Sequence, residues 1–343
     1  MNSGKIGYSF VVMASIVVIL AGIKNSAEIL IPFLLSLFIA IILSPSYSFF
    51  KKKGLPELLS LGLVIAIFLL FITLVAKLIG TSVSDFSANI DVYSQKLSLQ
   101  YFSVVEYLKS LGIDIPAQEL SNVVNSKEIL TFSTTVVQNM GSIFTNGFVV
   151  IFTVIFMLLE STHFENKIDY ADGKRATIIH IHEIFTKIKS YMLLKTLVSL
   201  LTGFLIWIFL LLIGTDYAFL WAVLAFLFNF IPNIGSIIAA VPALLITIVQ
   251  LGSFSAFLVT LLYLSVNILV GSVVEPKLMG RGLGLSSLVV FLSLVFWGWL
   301  LGIVGMLLSI PLTIMAKIVF DAHENTKWLA VLLGTGEQIE KKS

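Results

Sequence analysis

Long apolar runs recur along this chain, and they constrain its fold more than any other feature. The eight runs lie at 8–23, 29–50, 58–79, 142–159, 191–213, 217–249, 254–274 and 286–320. A helix needs about 20 apolar residues to cross a bilayer core of about 30 Å. Because 58% of the 343 residues are hydrophobic and only 12% are charged, a soluble core cannot hold this surface. The sequence predicts an all-α, polytopic membrane helix bundle of about eight spans in a lipid bilayer, with 1–343 forming one domain.

Two polar connections separate the runs. In 81–140 the apolar residues recur every three or four positions, which predicts a helical arm outside the membrane. This arm would pack on the membrane surface or on its own protomer, or it would form the contact of a homo-oligomer. The second connection, 161–190, predicts an amphipathic helix at the cytoplasmic interface. Lysines at 5, at 51–53 and in 161–190 place the N-terminus in the cytoplasm.

Several function classes lack their motifs in this sequence. There is no phosphate-binding loop of the type G-x-x-x-x-G-K-[ST], so no ATP site is predicted. The net charge is +2 without a basic, aromatic-rich face, which argues against nucleic-acid binding. The chain has no cysteine, and its four histidines lack metal-ligand spacing. The sequence therefore predicts no catalytic residues, no metal and no cofactor.

The sixth apolar run contains the segment NFIPNIGSIIAAVP at 229–242, which is unsuited to a simple spanning helix. Pro232 and Pro242 each remove a backbone donor, and Gly235 loosens the helix between them. In lipid, such a break is tolerated only where the freed groups face protein or a water-filled cavity. Asn229 and Asn233 offer partners to those groups. Discontinuous helices commonly hold transporter substrate sites, so these five residues are candidates for a substrate path.

The eighth run repeats this character in WGWLLGIVGMLLSIPL, residues 297–312. Gly302 and Gly305 precede Pro311, as Gly235 precedes Pro242, and these three residues join the path candidates. Two Gly/Pro-interrupted segments in one chain suggest an internal repeat and point to a binding site. The alternative is ordinary kinked helices whose small residues allow close packing.

Charged residues follow the seventh run in NILVGSVVEPKLMGRG, residues 267–282. Ionisable groups at membrane depth are costly and usually mark a pathway or a pair. Glu275 would accept a proton, pair with Lys277 or Arg281, or lie among the lipid headgroups. We select Glu275 and Arg281 as proton- or ion-coupling candidates and add Asn267 to the substrate path.

The segments FNFIPNIGSIIAAVPALL and EPKLMGRGLGLSSLVVFLSLVFWGWLLGIVGMLLSIPLTIMAKIV resemble the autoinducer-2 exporter family of bacterial membrane proteins. The resemblance extends over nearly the whole chain and is strongest at 191–319. It implies a multi-pass carrier of the bacterial inner membrane that exports autoinducer-2, a small polyhydroxylated signal. Because some relatives are described as sodium/proton antiporters, cation/proton antiport is one alternative. An oligomeric channel or scaffold is another.

Overall fold

The computed structural model describes residues 3–112, 147–170, 175–232, 234–279 and 284–335. Every regular element in these ranges is helical, which confirms the predicted all-α class. The elements are α1 (Ser3–Asn25), α2 (Ala27–Lys52), α3 (Glu57–Ala88), α4 (Ile90–Ser110), α5 (Gly147–Tyr170), α6 (Arg175–Ile213), α7 (Ala218–Phe228), α8 (Gly235–Leu251), α9 (Ser253–Val266), a π-helical segment (Asn267–Val274), α10 (Glu275–Met279), α11 (Ser287–Leu307), α12 (Ser309–Asp321) and α13 (Lys327–Leu333).

Several of these helices are long and apolar enough to cross a membrane. In the described part they are α2, α3, Phe185–Ile213 within α6, the stretch Ser253–Leu278 and α11. Shorter apolar helices accompany them at Phe10–Asn25, Gly147–Ser161, α7 and α8. These lengths confirm the polytopic helix bundle. The short helices α7 and α8 divide the sixth apolar run, where the sequence predicted a break.

Contacts divide the chain into two compact units. The first unit comprises Met1–Val64, Asn146–Leu193 and Arg281–Ser343, and the second comprises Ile65–Thr145 and Leu194–Gly280. In the first unit, α2 packs against α5. The buried Ser36 hydroxyl on α2 donates to the carbonyl oxygen of Val150 at 3.1 Å. A small polar residue at this contact lets the two helices approach closely.

An aromatic cluster joins α3, α4 and α7 in the second unit. The Phe86 side chain is only 1% exposed, and its ring contacts the rings of Tyr93, Tyr217 and Trp221. The Tyr93 hydroxyl donates to the carboxylate of Asp216 at 3.1 Å. Burial, followed by the neighbouring Tyr217 and Asp216, raises the pKa of Tyr93, so its hydroxyl stays protonated. The beginning of the predicted arm therefore packs on its own protomer, whereas 113–140 lies outside the described residues.

Helices α7 and α8 form a hairpin in the second unit. A Cβ atom added to Gly235 would overlap the carbonyl oxygen of Phe228. Seven residues of continuous α-helix would separate these positions by about 10 Å, so the chain reverses between them. The two helices have 11 and 17 residues, which correspond to about 16 and 25 Å. Neither length reaches the 30 Å or so of a bilayer core.

A second reversal occurs in the first unit at Gly302. Its φ of 65° and ψ of −149° interrupt α11 in a conformation open essentially to glycine alone. After the turn, the Trp297 indole nitrogen donates to Thr313 Oγ1 at 3.0 Å. Sixteen residues of straight helix would place these residues about 24 Å apart. Gly305 lies against the carbonyl oxygen of Trp297, much as Gly235 lies against that of Phe228.

Pro242 removes a donor without ending its helix, because α8 continues through this buried proline. One missing N–H removes one bond of the helical ladder, and the remaining bonds hold the helix together. Helix α2 likewise contains Pro32 and Pro45. Pro311 lies in the first turn of α12, where a proline is well tolerated.

We expect Gly235→Ala and Gly305→Ala to destabilise the protein, because each new methyl group meets a backbone carbonyl. Overpacking of this kind costs about 1–3 kcal/mol, and each kcal/mol lowers the unfolding temperature by about 2–4 °C in a large chain. The measurement is thermal unfolding of the purified protein in detergent. Gly62→Ala in α3 is the matched control, since nothing lies within 4 Å of its added Cβ. Equal unfolding temperatures for all three variants would contradict the close packing at both turns.

Candidate functional site

One face of α6 carries polar and small residues within an otherwise apolar span. Lys195, Ser199 and Thr202 are 4%, 0% and 8% exposed. Ser199 follows Lys195 by four residues, and Thr202 and Gly203 follow Ser199 by three and four residues, which places all four on one side of a helix. This polar face, defined by Lys195, Ser199, Thr202 and Gly203, belongs to the second unit.

The polar face contacts the α7–α8 hairpin where the chain begins to turn. Asn229, the residue after α7, donates from its amide nitrogen to the hydroxyl oxygen of Ser199 at 2.9 Å. A Cβ atom on Gly203 would lie 3.0 Å from the carbonyl oxygen of Ala222 and 3.0 Å from Cβ of Phe226. The absence of a side chain at Gly203 thus lets α6 and α7 meet closely. The hairpin turn is held against α6 by a polar contact on one side and a close backbone approach on the other.

The same face holds an ion pair with the helix that follows the π-helical segment. Lys195 Nζ lies 2.7 Å from Glu275 Oε1, and the side chains are 5% and 20% exposed. By comparison, Lys51 and Glu57 are 3.6 Å apart with 32% and 39% exposure. An ion pair between a buried lysine and a half-buried carboxylate is favourable only with close geometry, because the lysine has lost its water. The Lys195–Glu275 pair meets that condition.

Among the described residues, Lys195 and not the suggested Lys277 is the partner of Glu275. Lys277 is exposed and lies two residues further along α10. Residues spaced by two do not face each other on a helix. Arg281, the other expected partner, lies outside the described residues. The carboxylate is therefore neutralised from α6, a helix about eighty residues earlier in the chain.

The ion pair and the Asn229 contact lie one helical turn apart on α6. Residues four positions apart on a helix have Cβ atoms about 5–6 Å from each other, so Lys195 and Ser199 are direct neighbours. Through them, α6 contacts two residues that the sequence analysis had selected independently, Asn229 for the solute and Glu275 for the coupling ion. The site offers neutral hydrogen-bonding groups beside a compensated charge.

Comparison with known proteins identifies the family. Residues 13–325 match the sequence profile described as AI-2E family transporter. The chain belongs to the AI-2E transporter family. The family resemblance noted in the sequence is thereby confirmed, and with it the assignment to a family of multi-pass membrane transporters.

Relatives in this family match the chain over almost its full length. A protein of Haemophilus influenzae named a putative transport protein is 38% identical over 339 residues, which cover 96% of both chains. The putative transport protein YhhT of Escherichia coli K12 is 37% identical over 325 residues, 94% of this chain and 93% of YhhT. TqsA of the same organism, named an AI-2 transport protein, is 36% identical over 324 residues, 94% of both chains.

The remaining candidates of this AI-2E transporter lie elsewhere. Asn267 opens the π-helical segment, and its Oδ1 atom lies 3.4 Å from the position of a Cβ atom on Gly271. It is exposed on the single chain and makes no described contact with Asn229. Pro232 lies within the hairpin turn, while Asn233 is outside the described residues. Gly302, Gly305 and Pro311 belong to the hairpin of the first unit.

The described residues contain no group of three or more histidine, aspartate or glutamate side chains able to hold a metal ion.

Sequence reasoning missed Lys195 and Ser199, although a signal for them was present. Lys195 is the only charged residue in the apolar run 191–213, and Ser199 and Gly203 follow it at steps of four. A lone charge in a span is expected to face the protein interior and a partner. The four-residue spacing then marks the side of the AI-2E transporter helix that faces inward.

We expect Ser199→Ala to destabilise the protein, because it removes the acceptor for the Asn229 amide. Loss of one partner of a half-buried hydrogen bond costs about 1 kcal/mol or more. Thr202→Val is the matched control, since Thr202 donates only along its own helix, to the carbonyl of Val198 at 3.0 Å. Thermal unfolding in lipid nanodiscs measures the stability of both variants. If the two variants lose equal stability, the contact between α6 and the hairpin contributes nothing specific.

Proposed function

We propose that this chain is a secondary transporter that exports autoinducer-2, or a chemically similar small polyhydroxylated solute, across the bacterial inner membrane. The reversal between Phe228 and Gly235 carries this proposal, because it interrupts a helix within an apolar run. Such a break is tolerated where its polar groups meet protein or solute. The similarity to a relative named an AI-2 transport protein supports the choice of solute.

The chemistry of the hairpin turn suits a neutral solute rich in hydroxyl groups. An asparagine amide donates and accepts hydrogen bonds, a serine hydroxyl does both, and backbone carbonyls accept. Asn229, Ser199 and the turn at Pro232 provide these groups without a net charge, and Asn233 stays a further candidate from the sequence alone. Gly235 lets the chain turn tightly enough to present them. We assign this turn as the solute-binding part of the path.

The other candidates complete the path in this proposal. The hairpin of the first unit, with Gly302, Gly305 and Pro311, is assigned as a second interrupted element, consistent with its close likeness to the first. Pro242 keeps one backbone carbonyl in α8 free of its helical partner, and Asn267 offers an amide on the surface of the span. Alternating access commonly involves two structurally related elements of this kind.

Transport is proposed to use an ion gradient or the gradient of the solute itself, since the sequence has no ATP motif. Glu275 is the proposed ion-coupling group, with Arg281 as a further candidate. The positive residues of 51–53 and 161–190 favour a cytoplasmic N-terminus. The arm and the exposed apolar surface favour assembly of a homo-oligomer.

Cation/proton antiport is the second candidate function, and the Lys195–Glu275 pair favours it. An antiporter needs an ionisable carboxylate at membrane depth, and Glu275 lies within the apolar stretch Ser253–Leu278. An experiment with vesicles that contain the purified protein but no solute distinguishes the two functions. An imposed sodium gradient that moves protons under these conditions supports antiport, whereas proton movement that requires autoinducer-2 supports the exporter.

We expect Asn229→Leu to reduce autoinducer-2 efflux from loaded vesicles by about ten-fold. The variant loses one hydrogen bond to the solute, and a transport barrier raised by about 1.4 kcal/mol slows the step by that factor. Efflux is followed by the autoinducer-2 remaining in the vesicles, at equal protein content. Asn25→Leu is the matched control, since Asn25 is exposed at the end of α1. Ser199→Ala should retain more efflux than Asn229→Leu, because it keeps the asparagine. Unchanged efflux with Asn229→Leu would remove the hairpin turn from the solute path.

A further inference from the structure

We infer that Lys195 is a tethered competitor for the Glu275 carboxylate. In this conformation its ammonium group occupies the position at which a small monovalent cation, a proton or sodium, binds during transport. When the Lys195 ammonium group withdraws, the cation binds the Glu275 carboxylate. When the ammonium group returns, the cation dissociates. This inference rests on the proposed function as a transporter and assigns the residue that couples ion binding to it.

The geometry explains why the two cations exclude each other. Lys195 Nζ is 2.7 Å from Glu275 Oε1, and only 5% of the lysine side chain is exposed. A second positive charge at the same oxygen would meet a buried ammonium group at close range. A carboxylate without a partner at this depth is also unfavourable. Exchange of one positive charge for another preserves neutrality, so departure of Lys195 and arrival of a cation are coupled.

Other described charges do not take part in this competition. Among the described residues, Lys195 is the charged side chain within ion-pair distance of Glu275. Lys277 on α10 is exposed and two residues away on a different side of the helix. Thr196, next to Lys195, is half-buried and uncharged. Among the described residues, the charge of Glu275 is therefore balanced by Lys195 of α6.

Both partners are placed where they can move. A lysine has a flexible four-carbon stem and can withdraw its ammonium group without displacement of its helix. Glu275 directly follows the π-helical segment Asn267–Val274. In a π-helix the hydrogen bonds join residues five apart, and such segments are frequent at functional sites. A change of this segment towards α-helical bonding would rotate Glu275 relative to α9.

Contacts also connect this exchange with the proposed solute turn. Lys195 and Ser199 are neighbours on the polar face, and Ser199 accepts the hydrogen bond from Asn229 at 2.9 Å. Release of the ion pair frees α6 from α10 at a position one turn away from that bond. The occupancy of the carboxylate can thus change how α6 supports the hairpin turn. The ion would regulate solute binding through this short chain of contacts.

Carbodiimide labelling tests the competition without any solute. A hydrophobic carbodiimide converts a protonated carboxyl group into a stable N-acylurea, which mass spectrometry detects at Glu275 in the full-length protein in lipid nanodiscs. We expect Lys195→Met to increase the labelling rate about ten-fold, because the competing ammonium group is gone. Lys195→Arg keeps a charge and should label slowly, and Lys277→Met, the matched control, should behave as the unaltered protein does.

The cation is identified in the same experiment by replacing choline chloride with sodium chloride. Slower labelling of Lys195→Met in sodium indicates that sodium binds the carboxylate, whereas an unchanged rate indicates the proton; both agree with the inference. It is overturned if Lys195→Met labels at the rate of the unaltered protein, or if Lys277→Met accelerates labelling equally.

A double variant addresses misfolding, because Lys195→Met alone leaves a half-buried carboxylate without its lysine partner. Lys195→Met combined with Glu275→Gln removes both charges, a change that buried ion pairs often tolerate. We expect this protein to unfold within about 4 °C of the unaltered protein, which shows that it folds, and to lose the acceleration of autoinducer-2 release by a proton or sodium gradient. Persistent acceleration would overturn the inference. If the unaltered protein releases no autoinducer-2, the proposed function fails, and the labelling result still decides the role of Lys195.

Discussion

The fold depends on the need of every backbone polar group for a partner where water is absent. An uninterrupted helix meets that need within itself, and most of the described chain does so. The two reversals inside apolar runs of the described chain are therefore the informative breaks. At each of them a glycine lies directly against the carbonyl of a residue seven or eight positions earlier, Phe228 for Gly235 and Trp297 for Gly305. Only a residue without a side chain allows the chain to reverse so tightly.

Polar side chains follow the same constraint and are concentrated where helices meet. Thr313 accepts the indole hydrogen bond of Trp297 across the hairpin of the first unit. Ser199 accepts the amide hydrogen bond of Asn229 beside the α7–α8 hairpin of the second unit. The polar face of α6 adds a charge to this pattern, because Lys195 neutralises Glu275. In the proposed function, these same polar groups would exchange their partners within the protein for a solute or an ion.

The prolines of this chain do not by themselves show where a helix is interrupted. Pro232 lies in a turn, yet Pro32, Pro45 and Pro242 lie within continuous helices. The difference is not visible in the proline, whose loss of one donor is the same at each position. It arises from Gly235, which gives the chain room to pass Phe228 after the turn. For this reason the sequence located the interrupted region correctly, whereas the structure shows which of its two prolines lies in the turn.

The sequence by itself determined the all-α membrane class, the family and the two interrupted runs, because each of these follows from local hydrophobicity and from the Gly/Pro pattern. It also indicated Asn229 as a hydrogen-bonding group at the break and Glu275 as a carboxylate that would pair. Only the tertiary structure decided what those partners are. Ser199 and Lys195 are 30 and 80 residues distant from them in the chain, and a pairing of that kind depends on which side of α6 faces the hairpin. Packing of whole helices sets that orientation, and no local pattern contains it.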